Sequence, residues 1–196
     1  MAVRDILLYP NPALKRPARA VEPAEAAAVA ADLVDTMRAH RGCVGLAAPQ
    51  LGELVRMVVV DVSEHPRADV SHGLLVLVNP RVTRAAGAEV AREGCLSIPH
   101  LTANVRRAVE IAVEGSAPDG SLVAIETVGF EARCIQHELD HLDGILFLDR
   151  VDSLKTDVFR RKSYRAGGAS GSEADRTASR PAAARGGSRS ATDRTG

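Results

Sequence analysis

The sequence predicts an α+β fold. Runs of β-branched residues, each of strand length, occupy the middle of the chain. A helical segment carrying His137-Glu138-Leu139-Asp140-His141 follows them. Strands and helices do not alternate regularly, so a parallel β-α-β sheet is not expected. The length of 196 residues favours one domain. Residues 1–165 carry all the patterned sequence, enough to bury a core.

Each element has its own signal. Glu22 to His40 is Ala-rich, with Val29, Leu33 and Met37 at helical spacing. Pro23 suits its first turn, where a missing N–H costs nothing. Val55 to Val62, Leu74 to Val78, Ala108 to Glu114 and Leu122 to Val128 read as strands. Asp119-Gly120 reads as a hairpin turn between the last two. Gly129 and Asp143-Gly144 bound the second helix. With His137 as reference, Phe130, Cys134 and His141 fall within about 60° of it. Ile135, Leu139 and Leu142 fall on the opposite side, and Arg133, Gln136 and Asp140 form a polar stripe between. Both sides of that helix are expected to be buried.

The chemistry follows from the spacing. Residues four apart on a helix differ by about 40° in direction. The imidazoles of His137 and His141 can therefore hold one metal ion. Glu138 lies a part-turn away, near enough to reach water at the metal without being a ligand. Two nitrogen ligands and a carboxylate are what metal-assisted hydrolysis needs. A bare His-x-x-x-His pair also occurs on ordinary helix surfaces. The Glu and the apolar surroundings favour the metal site.

Two histidines leave a hydrolytic metal one protein ligand short. No His follows His141, and Glu173 lies in low-complexity sequence. His40, His65, His72 and His100 read as surface residues. The three cysteines form no C-x-x-C pair, which argues against a disulfide framework and for a reducing compartment. Cys134, one turn before His137, either faces the metal or packs in the core. Cys95 lies in Glu93-Gly94-Cys95-Leu96-Ser97-Ile98-Pro99, read as a loop freed by Gly94 and stiffened by Pro99. It is the better third ligand. The exposed N–H groups beside it, and the Gln50 side chain that ends Cys43-Val44-Gly45-Leu46-Ala47-Ala48-Pro49-Gln50, can stabilise a developing oxyanion. A Gly-Ala-rich turn is also explained by close packing alone.

Taken in order, Gly45 to Gln50, Glu93 to Pro99 and Gln136 to His141 closely resemble the three signature motifs of the peptide deformylase family. The resemblance runs from about Ile6 to about Phe159. It implies small antiparallel β-sheets packed around a central helix that carries the His-Glu-x-x-His motif. It implies removal of the formyl group from the N-terminal formylmethionine of nascent polypeptides, with release of formate. Cys95, His137 and His141 would bind the metal, usually Fe2+, with Zn2+, Co2+ or Ni2+ as substitutes. Glu138 would act as general base and then acid for hydroxide attack at the formyl carbon. Gln50 and the N–H of Leu96 would stabilise the oxyanion. Val44, Phe130 and Cys134 would line the methionine pocket or simply pack the core. Gly45 and Gly94 would pair with the peptide as an added strand. The first motif departs from the pattern, because Cys43 stands where a Gly is usual. That turn either needs no positive φ or is displaced. Arg106 and Arg107 come later than the cation that often follows the second motif.

From Ala166 the composition shifts to Gly, Ala, Ser, Thr and Arg, and residues 166–196 are expected to be disordered. Val158 to Arg165 is basic and partly helical in pattern. It reads as a solvated helix end or as a contact with ribosomal RNA. The 25 basic and 25 acidic residues cancel, which implies no global nucleic-acid affinity. No run of about 18 apolar residues suggests a membrane span. Met1-Ala2-Val3-Arg4-Asp5 opens no signal peptide, so the cytoplasm is expected. Two rival readings are a small zinc endoprotease, disfavoured by Cys95 and Gln50, and a retired enzyme, disfavoured by the intact set of polar groups.

Overall fold

The computed structural model describes residues 2–161. The proposed tail at 166–196, and residues 162–165 of the basic segment, lie outside the described residues. Helix α1 spans Pro23–Ala39, and strands β1 and β2 span Gly45–Ala47 and Met57–Val60. Strands β3 to β7 follow at Leu75–Ala86, Glu89–Cys95, Ile98–Arg107, Glu110–Ser116 and Leu122–Val128. Helix α2 is Gly129–Leu142, and β8 is Val158–Arg160.

Two antiparallel sheets result. One has five strands in the order β1-β2-β3-β6-β7, and the other has three in the order β4-β5-β8. This is the expected α+β architecture. Strand β2 shows why its sequence is a continuous apolar run. Val58 and Val60 pack into the cluster that holds Ala132, Ile135, Leu139 and Leu142 of α2. Met57 and Val59 pack into the cluster that holds Ala26, Ala30, Leu33 and Met37 of α1. A strand covered on both faces has no polar side to show. A third cluster, built on Leu14, Val105 and Phe147, closes the small sheet.

Helix α2 is buried from Glu131 to Leu142 with the exception of half-buried Gln136, as its two-sided pattern implied. It ends where expected. Gly144 adopts φ +70°, and a Cβ there would meet the Lys15 backbone at 2.7 Å.

Three readings need correction. Glu93 to Pro99 is no loop: Cys95 ends β4, and Ile98 pairs with it across the turn Leu96-Ser97. The alternation that hid these strands is polar, with Arg92, Gly94, His100 and Arg106 exposed. Val158–Arg160 is a strand, not a helix end, because it pairs with Leu101–Ala103 of β5. Among the histidines read as surface residues, His72 and His100 are exposed, but His40 and His65 are half-buried. His65 stacks on Phe130 with centroids 4.1 Å apart, and the His72 ring bonds the buried Glu131 carboxylate at 2.7 Å. His40 lines the same cleft as His65.

Candidate metal centre

The two sheets and α2 bring the three motifs to one place. Helix α2 presents His137, Glu138 and His141, while the end of β4 presents Cys95. Gln50 sits in a 3-10 turn, Ala48–Leu51, directly after β1. Ligand atoms of Cys95, His137 and His141 all lie within 4.8 Å of one another, and all three residues are buried. The Cys95 sulfur is 3.3 Å from His141 Nε2. Burial disfavours the thiolate, yet His141 and His137 beside it outweigh burial and hold the Cys95 pKa well below the usual thiol value.

The donor set fits a cation. His137 Nδ1 is 2.9 Å from the Glu93 carboxylate, which leaves the other ring nitrogen for the site. His141 Nδ1 and Glu138 Oε2 are buried with no hydrogen-bond partner among the described residues. A buried polar atom without a partner is costly, and water held by a cation at the cluster would relieve that cost at Glu138 Oε2. Cys134, buried as well, is not part of the cluster. Burial pushes its thiol pKa up, so it is a packing residue that also lines the cleft.

Glu138 is held differently from Glu93. Burial pushes its pKa up to about 7, against the opposing pull of His137 and His141. Its backing is Gly45. A Cβ at Gly45 would stand 2.6 Å from Glu138 Oε1, so only glycine leaves the carboxylate its place. Gln50 is equally fixed. Its Oε1 accepts the Ala47 N–H at 2.9 Å, which turns Nε2 toward Cys95 Sγ at 3.3 Å and Ser97 Oγ at 3.1 Å.

A cleft of about 340 Å³ opens over these groups. Val44, Gly45, Gly94, Leu96, Phe130 and Cys134 all line it, together with Gln50, Glu138 and the candidate ligands Cys95 and His137. His141 lies beneath, with 1% of its surface exposed.

A family model described as polypeptide deformylase matches residues 3–157. The chain belongs to the polypeptide deformylase family. The peptide deformylase of Desulforudis audaxviator is 44% identical over 165 residues, covering 83% of this chain and 99% of that protein. That of Syntrophobacter fumaroxidans is 40% identical over 164 residues, covering 83% and 94%. Among solved structures, the peptide deformylase of Thermotoga maritima matches with a TM-score of 0.70 and 32% identity, covering 78% of this chain and 100% of that one. A Met-Ala-Ser-bound class I type b peptide deformylase from Acinetobacter baumannii matches at 0.71 and 32%, covering 76% and 99%. The family's reaction is removal of the N-formyl group from nascent peptides, and this deformylase-family chain is a hydrolase of that kind. Peptide deformylases are metalloenzymes, in keeping with the Cys/His/His cluster.

Several residues of this deformylase site went unread in the sequence. Glu93 is one. It accepts two hydrogen bonds from Arg107 at 3.0 Å each, one from Arg133 at 2.9 Å, and faces His137. Burial alone would push its pKa up, but His137 and Arg107 together bring it down to about 2. The signal was available: a metal-binding His needs an acceptor for its other nitrogen. Arg107 is likewise structural, because its guanidinium is buried between Glu93 and Asp140. Cys43 needs no positive φ, and its thiol donates to the Gly45 carbonyl at 3.1 Å. The usual glycine is dispensable there, and Gly42 supplies the left-handed turn at φ +78°.

Proposed function

We propose that Cys95, His137 and His141 hold a divalent iron ion, with zinc, cobalt or nickel as substitutes. The carrying observation is the convergence of one sulfur and two imidazoles, all buried, where the three motifs meet. A mixed sulfur and nitrogen donor set suits a metal of that softness. When bound, the cation supplies Lewis acidity, which lowers the pKa of a water toward neutrality and polarises a carbonyl.

The chain's own groups do the rest. Glu138 takes the proton of the attacking water and passes it to the leaving amine. Its unpartnered Oε2 and its pKa near 7 suit both halves of that transfer. Gln50 Nε2 and the Leu96 N–H are assigned to the oxyanion, and the Ala47 N–H holds Gln50 in the orientation this needs.

The substrate is a formylmethionyl peptide in extended form. Strands β1 and β4 each end a sheet, so each has one open edge, and both border the cleft. A peptide adds there as a strand, paired with the main chain at Gly45 and Gly94. Such pairing ignores side chains, as an enzyme acting on many nascent proteins requires. Val44, Phe130 and Cys134 receive the methionine. That the Acinetobacter baumannii relative is Met-Ala-Ser bound supports a methionyl peptide as the ligand.

Residues 1–165 are assigned as the catalytic unit, working in the cytoplasm. No helix among the described residues is long and apolar enough to cross a membrane. Contact with the ribosome is assigned to 158–165, where Arg160 is exposed. The test of the reaction is formate release from formyl-Met-Ala-Ser by Fe(II)-loaded protein prepared without oxygen. Release by the wild type and none by Cys95→Ala is the expected result. No release by folded, metal-loaded wild type would refute the reading.

A further inference from the structure

The mouth of the cleft is cationic, and nothing in the metal chemistry uses that charge. Arg41 enters from the segment between α1 and β1, Arg67 from the segment between β2 and β3, and Arg92 from β4. All three are exposed and line the cleft. Arg161 joins them, close enough over Gly94 that a Cβ there would collide with its guanidinium.

Arg67 and Arg92 are held in place by neutral groups. The Arg67 guanidinium lies over the Phe130 ring at 4.8 Å. Arg92 lies over Phe159 at 3.5 Å and donates to Asn104 and Thr102 at 3.1 and 3.2 Å. No ion pair among the described residues takes up the charge of these two, which leaves it for a ligand. Among the described residues, the cleft's acidic lining is Glu93 and Glu138, both buried. Glu93 is already matched by Arg107 and Arg133. The rim thus carries a net positive charge, although the whole chain is neutral.

The position of the rim says what it meets. A peptide laid along β1 or β4 has alternating side chains, so successive residues point to opposite sides. Arg92 and Gly94 share one face of β4, while Glu93 points the other way into the protein. Arg67, on Phe130, stands on the methionine side. Residues after the methionine therefore approach a cation whichever way they point.

The geometry points to a substrate preference built on the reaction assigned above: formylmethionyl peptides with Asp or Glu in the next two positions are the favoured class. Arg41, Arg67 and Arg92 are the residues that set it. Exposed ion pairs are individually weak, so the expected preference of formyl-Met-Asp-Glu over formyl-Met-Lys-Lys is about tenfold in kcat/KM at low salt. It resides in KM, because these groups lie away from the reacting atoms.

The experiment compares three peptides, formyl-Met-Asp-Glu, formyl-Met-Ala-Ser and formyl-Met-Lys-Lys, on the metal-loaded full chain. The ratio of acidic to basic kcat/KM is read, not either rate. The same ratio is measured for the double variant Arg41→Gln, Arg92→Gln, and for the wild type in 0.5 M salt, where screening shortens to a few ångströms. The expected result is a ratio well above one that falls toward one in both cases. A wild-type ratio near one overturns the preference, and so does a high ratio that neither change reduces. A flat ratio with inhibition by a short RNA oligomer would give the rim to nucleic acid instead, which also overturns it. Cleavage of none of the three peptides would overturn the assigned reaction along with it, whereas cleavage of all three at equal rates leaves the reaction standing.

Discussion

Glu93 and Glu138 are both buried glutamates beside His137, and they are held in opposite states. Glu93 is ringed by Arg107, Arg133 and His137, and its pKa is brought down to about 2. Glu138 has one carboxylate oxygen with no partner, and burial pushes its pKa up to about 7. A fully paired carboxylate is fixed in charge and position, so it can orient a ring but cannot trade protons near neutral pH. An unpaired one is costly to bury, yet it sits at the pKa a proton carrier needs. The pairing, not the residue type, separates the structural glutamate from the chemical one.

The sharpest way to break that contrast is at Glu138 itself. Glu138→Gln keeps the shape and removes the proton acceptor. Turnover of formyl-Met-Ala-Ser should fall by about 10²–10⁴-fold, with metal content and melting temperature retained. An unchanged rate would end the assignment of proton transfer to Glu138. At Glu93 the expected loss is of a different kind. Glu93→Ala leaves two buried arginines facing each other without their anion, which should cost about 3–5 kcal/mol in denaturant unfolding. Metal affinity should weaken by about 10–100-fold as His137 loses its acceptor.

The two carboxylates also predict opposite pH dependences of stability in the metal-free protein. Glu93 titrates at about 2 folded, against 4.5 for the ordinary side chain. Its depressed pKa gives stability that is fully present above 4.5 and is lost as pH falls toward 2. Glu138 titrates at about 7 folded, against the same 4.5. Its raised pKa favours the protonated folded state, so stability is lost as pH rises from 4.5 to about 7. The Glu138 effect is on the order of 3 kcal/mol. Glu138→Gln should therefore be more stable than wild type at pH 8, with the gap closing by pH 4.5. Unfolding in urea at both pH values measures it, and a gap independent of pH would contradict the raised pKa.

Gly45 tests the packing behind Glu138. With a Cβ 2.6 Å from Oε1, Gly45→Ala must move the carboxylate. Misplacement on the scale of an ångström should reduce kcat by about 10²-fold while the fold survives. Full activity would show that the carboxylate tolerates displacement.

How much of this was legible from sequence depended on which physical signal each part carries. The second helix was readable because its two faces repeat at helical period. Strands β2, β6 and β7 were readable because they are β-branched, and β3 only over its apolar first half. The rest of β3, with β4 and β5, is polar on its open face, and Gly94 and Pro99 mimic a loop. Cys95, His137, His141, Glu138 and Gln50 came from motifs whose chemistry demands those atoms. Glu93 was invisible as a partner because its meaning lies in Arg107 and Arg133, fourteen and forty residues away. Long-range charge pairing leaves no local pattern to read.

Cys43 gives the smallest expected effect and the finest test of the same idea. Its thiol lines the cleft, and burial, with the nearby Glu138 and Cys95 charges, pushes its pKa up to about 12. It is therefore a protonated donor to the Gly45 carbonyl, not a fourth metal ligand. Cys43→Gly should lower stability by about 0.5–1 kcal/mol through backbone freedom. It should leave kcat/KM within about twofold, since no group assigned to the reaction changes. One metal per chain should still bind. A drop in metal content would place this thiol beside Cys95 in the metal site, and the protection that burial gives a neutral thiol would then not hold for it.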